Sequence, residues 1–497
     1  MSRDCLQPHP DAPLFGAIDL GASSGRVLTG ALADGRVELR ELHRFPNRPV
    51  ALPDGLRWNL LHLFSESLAA LRPLRGLRGV AVDAWGVDYA LLDGRDRVLG
   101  LPFHYRDRRT EGMVERAFAR VPQADLYAAT GIQTMPINTI FQLLADEGTP
   151  ALAAASSLAL VGDLLALWLS GERANERTNA STSGLLDARS GEWARPLIER
   201  LGLPSRLFGA LTDPGVALGP ALAQHELGPV PVFTVASHDT ASAYVATPIR
   251  DEHAAVLSSG TWSLLGLELP APVLDEPARR ANLTNERGLE GTTRLLKNVM
   301  GLWLEQECAR VWDAPFPELH AAAARASADV PLFDPDEEGF LRPGDMPERI
   351  ARACVARGQR APAGRGETIR SIYLSLACKY RLVLEHLEAV AGREVRTLHM
   401  IGGGARNELL CSLTAAITGR EVLAGPVEAT ALGNVLVQAR AAGELGSLAD
   451  MRAVAAASAD PVQHVPAGSR EEAEATYRRF LDVTALAAPT VAPGDRL

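Results

Sequence analysis

The chain repeats one local design at two distant places, and this repetition limits the folds open to it. Residues 14–32 read as a strand, a turn of small residues at 21–25 and a second strand. Residues 254–267 contain the same succession, with the small-residue turn at 258–261. Two copies of one hairpin, far apart in the chain, indicate two related domains that face each other.

Both turns have a composition suited to an anionic group. Glycine and serine leave backbone N–H groups and hydroxyls accessible, and such groups bind phosphate. The sequence contains neither a G-x-x-x-x-G-K-[ST] phosphate loop nor a G-x-G-x-x-G motif after a strand. Lys297 and Lys379 are the only lysines. A phosphate would therefore be bound by backbone amides, hydroxyls, arginine or a metal ion.

Asp239 follows a short apolar run at 232–236, which predicts a buried strand. Residues 241–246 predict a short helix. A carboxylate beside a phosphate-binding turn points to base-assisted attack on the phosphate. The alternative is structural, with Asp239 as an N-cap residue and the turn at 258–261 as an ordinary hairpin. Both interpretations are compatible with this segment.

A polar segment at 83–88 separates two strand-like runs within 77–92. The carboxylates of Asp83 and Asp88 could bind the hydroxyl groups of a polyol, and the face of Trp85 could stack on a sugar. An equally good interpretation is a polar strand end that closes onto a loop.

Strands and helices also alternate in the second half, which predicts an α/β fold with layers of helices and strands. The apolar spacing in 295–308 predicts a helix, with Asn298 as its N-cap. Three glycines at 402–404 lie between a predicted strand, 397–401, and a predicted helix, 407–418. They either admit a flat or phosphorylated ligand at the helix entry or form a tight packing turn.

Composition excludes several classes of protein. The chain has 497 residues, enough for two or three domains, and a formal net charge of −10. This acidic balance argues against nucleic acid and against an anionic membrane as partners. Residues 1–20 lack the apolar core of a signal peptide, and no apolar run reaches the ~18 residues of a membrane span. We therefore expect a cytoplasmic protein.

Several segments taken together resemble the FGGY family of carbohydrate kinases. Each segment alone is weak evidence, but their order and spacing extend over nearly the whole chain. The sequence has no literal F-G-G-Y. The segments are AIDLGASSGR at 17–26, VDAWGVDYALLD at 82–93, SHDTASA at 237–243, SSGTWSLLG at 258–266, LKNVMGLW at 296–303, and IGGGARNELL with AGPVEATALGN within 401–434.

The resemblance implies an α/β fold of two actin-like (ribonuclease H-like) domains, each a mixed sheet flanked by helices, with a cleft between them. The first domain, 12–245, would carry the sugar site and one phosphate loop, and the second, 246–482, the nucleotide site. The implied cofactors are ATP and Mg²⁺. The implied partners are a small-molecule ketose and ATP, and the implied state is a monomer or a weak homodimer.

The implied activity is transfer of phosphate from ATP to the 1-hydroxyl group of L-rhamnulose. Residues 101–110, 130–143 and 283–291 are similar to family members that act on this sugar. Two alternatives stay open. One is a kinase for another ketose, such as L-fuculose or xylulose. The other is a non-enzymatic actin-like ATPase or sugar-binding protein.

The resemblance also assigns roles to individual residues. Asp239 would be the general base, and Asp19 would support magnesium through water. The nucleotide and its phosphates would contact a first set, Ala22, Ser23, Ser24, Gly25, Arg26, Thr261, Gln306 and Gly403. The sugar would contact a second set, Gly86, His238, Asp239, Thr240 and Asn298.

Overall fold

The structure, a computed structural model, describes residues 12–489. Residues 1–11, on which part of the signal-peptide expectation rests, lie outside the described residues. The chain groups into two compact units. Of the described residues, the first unit contains the chain from residue 12 to Pro248 with Leu269–Arg294 and Ala429–Asp460, and the second unit contains the rest. The domain bounds 12–245 and 246–482 stay a prediction, because each unit is assembled from several segments.

Strands and helices alternate along the described residues. The strands are β1 Leu14–Leu20, β2 Ser24–Ala33, β3 Arg36–Pro46, β4 Val50–Leu52, β5 Gly55–Arg57, β6 Leu77–Ala84, β7 Tyr89–Leu92, β8 Ser157–Leu160, β9 Ala217–Pro220, β10 Pro231–Phe233, β11 Ala254–Ser259, β12 Trp262–Leu269, β13 Thr284–Arg287, β14 Thr293–Met300, β15 Thr397–Ile401, β16 Glu421–Ala424 and β17 Val462–His464.

The helices complete the layers. They are α1 Leu60–Leu71, α2 Met113–Arg120, α3 Gln123–Thr130, α4 Thr139–Ala145, α5 Pro150–Ala154, α6 Val161–Ser170, α7 Arg177–Ala180, α8 Arg195–Arg200, α9 Asp239–Val245, α10 Glu276–Arg280, α11 Trp303–Trp312, α12 Phe316–Arg325, α13 Met346–Ala356, α14 Gly364–Ala391, α15 Glu408–Thr418, α16 Ala429–Ala441, α17 Leu448–Ser458 and α18 Arg470–Thr484.

The first unit is built on a mixed sheet with strand order β3-β2-β1-β6-β10-β9. Strands β1, β2 and β3 form an antiparallel meander, and β6 runs parallel to β1 on its other side. Strand β1 is fully buried from Phe15 onward, as its apolar composition predicts. Helix α16 packs against β1 and β6 and covers the centre of the sheet. The predicted hairpin at 14–32 is confirmed.

The second unit repeats this plan. Strands β14, β12, β11, β15, β16 and β17 lie side by side in that order. The hairpin of β11 and β12 is antiparallel, and β15 runs parallel to β11 on its other side. The long helix α14 packs against α12 and α15. The predicted hairpin at 254–267 is therefore confirmed, and so is the prediction of two mixed-sheet units flanked by helices.

The helix predicted over 295–308 is wrong in its first half. Residues up to Met300 form β14, and α11 begins at Trp303, so Asn298 lies in a strand and caps no helix. The reason is close pairing with β12. A Cβ at Gly266 would lie 2.4 Å from the carbonyl oxygen of Leu295, a contact that only glycine permits. Strand pairing thus overrides a local apolar spacing that suits a helix.

Within residues 12–489, no helix is both long enough and apolar enough to cross a membrane.

Contact between two helices fixes the start of α9, where Asp239 lies. A Cβ at Gly433 on α16 would lie 1.8 Å from the carbonyl oxygen of Ser242 on α9. We expect Gly433→Ala to lower stability by ~1–3 kcal/mol, because the helices must separate to admit the methyl group. Thermal unfolding measures the loss.

Gly339→Ala is the matched control. A Cβ at Gly339 would have no atom within 4 Å, so this substitution adds a methyl group without a clash. Equal unfolding midpoints for the two variants would contradict the proposed close approach of α9 and α16.

Candidate active site

The turn of the first hairpin closes on an ion pair. Asp19 on β1 lies opposite Arg26 on β2 in the antiparallel register, and Arg26 Nη2 lies 2.7 Å from Asp19 Oδ2. The N–H of Gly21 donates to the carbonyl of Ser24 across the turn at 2.9 Å. Asp19 is 1% exposed, so its charge is held in a largely dry environment beside one cation.

Asn47, which sequence reasoning missed, holds the same turn in place. Its Nδ2 donates to the carbonyl of Gly21 at 2.9 Å, and its backbone N–H donates to the carbonyl of Ser23 at 3.0 Å. Nothing in the sequence around Asn47 signals this role. Ala22, Ser23 and Ser24 are half-buried or exposed, so these three of the predicted phosphate-loop residues are accessible.

Gly25, also predicted to contact phosphate, has a packing role. A Cβ at this position would lie 2.3 Å from the ring of Phe45 on the neighbouring strand. The glycine thus lets the hairpin close onto β3, and its predicted contact with phosphate stays a prediction.

Asp83 joins Asp19 through the sheet. The two residues are direct neighbours in the parallel register of β1 and β6. Asp83 is fully buried, and burial raises its pKa well above the ordinary value; the charges of Asp19 and Asp239 raise it further. Asn434 Nδ2 donates to Asp83 Oδ2 at 2.6 Å, and this bond and Arg26 lower the pKa. Three carboxylates of the first unit therefore interact electrostatically.

This set of groups suits a hard divalent cation. Mg²⁺ prefers carboxylate oxygens and is usually bound by one or two carboxylates, with water and substrate phosphate completing its shell. Asp83 Oδ1 is buried and has no hydrogen-bond partner among the described residues. Between residues 12 and 489 there is no cluster of three or more His, Cys, Asp or Glu that could enclose a metal by itself. The donors therefore fit an ion completed by water and phosphate.

Asp239 is the first residue of α9, and the N-cap position belongs to His238. The N-cap interpretation of Asp239 is therefore wrong by one residue. Its Oδ1 accepts hydrogen bonds from the backbone N–H of Thr240 at 2.5 Å and from Thr240 Oγ1 at 3.0 Å. The side chain is 28% exposed. The carboxylate can therefore be reached from outside.

His238 and Thr240, both predicted to meet the sugar, adjoin this carboxylate. His238 Nε2 lies 3.4 Å from Asp239 Oδ1. The side chains of His238 and Thr240 are almost fully buried. The structure thus brings together three of the residues predicted for the sugar and the general base.

Asp88 and Trp85 in the 83–88 segment are not available to bind a polyol, which was one of the two interpretations of this segment. The carboxylate of Asp88 accepts hydrogen bonds from Trp58 Nε1 at 2.5 Å, from Trp85 Nε1 at 3.1 Å and from Gln142 Nε2 at 2.7 Å. Trp85 is 4% exposed, and its ring lies 4.1 Å from that of Trp58. Both Asp88 and Trp85 are therefore committed to packing, which agrees with the alternative of a closed strand end.

Gly86 also has a packing explanation. A Cβ there would lie 2.8 Å from Oγ1 of Thr182, and this oxygen accepts a hydrogen bond from the backbone N–H of Val87 at 3.0 Å. The glycine lets the two segments approach, and its predicted contact with sugar stays a prediction.

In the second unit, the turn after β11 is joined to the start of α11. The N–H of Leu302 donates to the carbonyl of Gly260 at 2.9 Å, and that of Trp303 donates to the carbonyl of Thr261 at 3.1 Å. Thr261 Oγ1 lies 3.3 Å from Gln306 Oε1, one turn into the helix. Two residues predicted for the nucleotide are therefore in contact. Asn298 lies half-buried on β14, and its predicted contact with sugar stays a prediction.

The three glycines after β15 have different roles. Gly402 has a φ of +81°, which favours glycine. A Cβ at Gly404 would lie 2.1 Å from Ser259 Oγ, at the end of the neighbouring strand β11. A Cβ at Gly403 would have no atom within 4 Å, and Gly403 is exposed. Backbone conformation explains Gly402 and packing explains Gly404, but neither explains the middle glycine, which leaves open space at the surface.

Comparison with known proteins covers both units. Residues 62–246 match the N-terminal domain of the FGGY family of carbohydrate kinases, and residues 255–442 match its C-terminal domain. The rhamnulokinase of Bacteroides thetaiotaomicron is 41% identical over 449 residues, which cover 88% of this chain and 93% of that protein. The rhamnulokinase of Enterococcus faecalis is 41% identical over 442 residues, covering 86% and 89%.

The fold agrees with solved structures as well. The crystal structure of a ligand-bound xylulose kinase from Lactobacillus acidophilus superimposes with a TM-score of 0.76 and 14% identity, over 94% of this chain and 96% of that one. At this identity the match establishes the fold.

The buried Asp88 provides a prediction about pH. Burial raises its pKa from 3.8 to about 6, against hydrogen bonds that lower it. The folded state therefore holds a proton that the unfolded state has lost between pH ~4 and ~6, and ~3 kcal/mol of stability disappears as the pH rises through this window. We expect tryptophan fluorescence to titrate near pH ~6, because Trp58 and Trp85 donate to this carboxylate.

Asp88→Asn should abolish this transition, whereas His104→Asn should retain it. The ring of His104 stacks on Trp58, but burial lowers its pKa well below the ordinary value. A transition that persists in Asp88→Asn and disappears in His104→Asn would assign the titration to the imidazole and contradict the prediction.

Proposed function

Because the chain belongs to the FGGY family of carbohydrate kinases, we propose that it transfers the γ-phosphoryl group of ATP to the 1-hydroxyl group of L-rhamnulose. The observation that carries this proposal is the 41% identity to curated rhamnulokinases across most of both proteins. The product is L-rhamnulose 1-phosphate, an intermediate of L-rhamnose breakdown. ATP and the ketose are the partners.

Asp239 is the general base. Its ionised carboxylate takes the proton of the 1-hydroxyl group as that oxygen attacks the γ-phosphorus. The new O1–P bond forms while the bond to the β-phosphate oxygen breaks, and ADP leaves. General-base assistance of this kind contributes ~10²–10⁴ in rate. The accessibility of Asp239 supports the role, because its side chain is 28% exposed and adjoins His238 and Thr240.

The two small-residue turns bind the phosphates. In the first turn, backbone N–H groups and hydroxyls of Ala22, Ser23 and Ser24 donate hydrogen bonds to phosphate, and Arg26 adds positive charge. Thr261 serves the second. Gln306, in contact with Thr261, and the open surface at Gly403 serve the nucleotide. Backbone donors of this kind stabilise charge as it develops on the transferred group.

Asp19 would hold the magnesium ion through water, beside Asp83 in the sheet. When bound, the ion neutralises charge on the phosphoryl oxygens. Arg26, ion-paired with Asp19, holds that carboxylate in place. We also propose that the enzyme acts in the cytoplasm as a monomer or weak homodimer, a state that light scattering after size exclusion measures directly.

The substrate is tested by a coupled assay of ADP release with ATP, Mg²⁺ and a panel of L-rhamnulose, L-fuculose, D-xylulose and glycerol. We expect the highest kcat/KM with L-rhamnulose. Faster turnover of another panel member would contradict L-rhamnulose as the substrate. It would not contradict the proposal that the protein is a sugar kinase. ADP release that no sugar accelerates would instead favour an ATPase.

The middle glycine gives a test of the nucleotide site. Gly403→Val should leave the unfolding temperature unchanged, because the added side chain meets open space. The KM for ATP should rise about tenfold or more as the branched side chain fills the volume of the ligand. The KM for the ketose should stay the same.

Gly404→Ala is the comparison variant, because it should disturb packing. It should lower the unfolding temperature, because its methyl group meets Ser259 Oγ. If the folded Gly403→Val variant retains the wild-type KM for ATP, Gly403 does not border the nucleotide.

The base is tested by Asp239→Asn. The amide oxygen can still accept the hydrogen bonds of Thr240, so stability should change little. An amide cannot take the proton, so kcat should fall ~10²-fold or more while ATP binding is retained. Melting temperature, ATP binding and kcat are measured on one preparation.

Asp275→Asn is the matched control. Asp275 is an N-cap in the same unit and accepts from the N–H of Ala278 at 2.9 Å. This variant should keep full activity, because asparagine caps a helix as well as aspartate does. Wild-type kcat in a folded, ATP-binding Asp239→Asn variant would show that another group is the base.

A further inference from the structure

His238 is enclosed by charged groups on both sides of its ring. Its Nε2 lies 3.4 Å from Asp239 Oδ1. Its Nδ1 lies 3.2 Å from Arg294 Nη2 and 3.4 Å from Glu286 Oε2. Arg294 and Glu286 pair with each other at 3.2 Å. A continuous chain of contacts therefore connects this ion pair, through one imidazole, to the carboxylate assigned as the base.

The ion pair is unusually well buried. Arg294 is 0% exposed, and Glu286 is 3% exposed. Arg294 Nε donates to the carbonyl of Arg287 at 3.1 Å, and its guanidinium lies 5.8 Å from the centre of the Tyr244 ring. A buried ion pair costs desolvation that its attraction often fails to recover, so apolar residues of similar volume are frequently as stable. Stability alone does not explain this pair.

The donor and acceptor capacities of these groups determine the tautomer of His238. An arginine side chain can only donate hydrogen bonds. The Nδ1 atom that faces Arg294 Nη2 must therefore accept, and the ring proton lies on Nε2. A doubly protonated ring would place two donors 3.2 Å apart. Arg294 Nη2 also lies 3.2 Å from Glu286 Oε2, so its positive charge lies beside the carboxylate that faces Nδ1.

In this tautomer the ring proton lies on the nitrogen that is 3.4 Å from Asp239 Oδ1. The same oxygen accepts hydrogen bonds from the N–H and the hydroxyl of Thr240. No hydrogen bond from the described residues reaches Oδ2. The two carboxylate oxygens therefore differ. Oδ1 accepts hydrogen bonds from the protein, and Oδ2 can accept one from a substrate hydroxyl.

We propose that Arg294 and Glu286 are positioning residues, which fix His238 as the neutral Nε2–H tautomer so that Asp239 presents Oδ2 to the 1-hydroxyl group. This rests on the proposed function, since it assigns a role in proton transfer. The proton passes from the hydroxyl to Oδ2, while His238 keeps its own proton. Other charged groups near this network are Glu176, which accepts from Ser237, and Asp83, which interacts with Asp239.

The tautomer is tested by ¹⁵N NMR of the histidine rings in the full-length protein at neutral pH, without substrate. Loss of one ring signal in His238→Gln assigns the resonance. We expect an unprotonated Nδ1 and a protonated Nε2. A protonated Nδ1, in either a neutral or a cationic ring, would overturn the proposal. This measurement does not require the protein to be a kinase, so it fails independently of the proposed function.

The kinetic test removes the ion pair. Arg294→Met takes away the guanidinium and leaves the Glu286 carboxylate beside Nδ1, so this ring nitrogen should gain a proton. Glu286→Leu with Arg294→Met replaces both charges by apolar groups, and this variant should fold even if the single one does not. In each folded variant the ring signal should change and kcat should fall ~10- to 100-fold, with the KM for ATP unchanged.

Glu276→Gln with Arg279→Gln is the matched control, because it removes an exposed ion pair of the same unit. It should leave both the ring signal and kcat unchanged. A double variant of Glu286 and Arg294 that keeps wild-type kcat, or that loses kcat with an unchanged ring signal, would show that the pair does not act through His238.

Discussion

Strand register in the first sheet brings charged side chains together, and the proposed chemistry depends on them. Antiparallel pairing places Asp19 against Arg26, and parallel pairing places Asp83 against Asp19. Two carboxylates at adjacent positions of a buried sheet repel each other, and Arg26 compensates only part of that charge. A site of this kind is suited to a cation that arrives with its own phosphate and water ligands.

The second unit repeats the hairpin without the acidic pair of the first. The turn after β11 carries no acidic residue, it is hydrogen-bonded to the start of α11, and Ser259 beside it packs against Gly404 of the glycine turn after β15. Gly266 and Gly404 allow backbones to approach, whereas Gly403 leaves open space. One architecture thus supports a charged site in the first unit and an uncharged, accessible turn in the second.

Much of this organisation could be predicted from the sequence, because short apolar runs and small-residue turns are local signals. Both hairpins and the helix that begins at Asp239 were accessible in this way. The helix predicted over 295–308 was wrong because pairing of β14 with β12 is a tertiary effect. Asn47, Asn434, Glu286 and Arg294 were missed for a related reason. Each acts on residues distant in the chain, and a lone polar residue gives no periodic signal.

In the proposed reaction a sugar hydroxyl, and not water, receives the phosphoryl group. The most direct measurement is ³¹P NMR of the reaction of the enzyme with ATP, Mg²⁺ and L-rhamnulose. We expect a phosphomonoester signal split by the two protons of C1, growing in equal amount with ADP. Formation of inorganic phosphate with ADP, and no sugar phosphate, would contradict it.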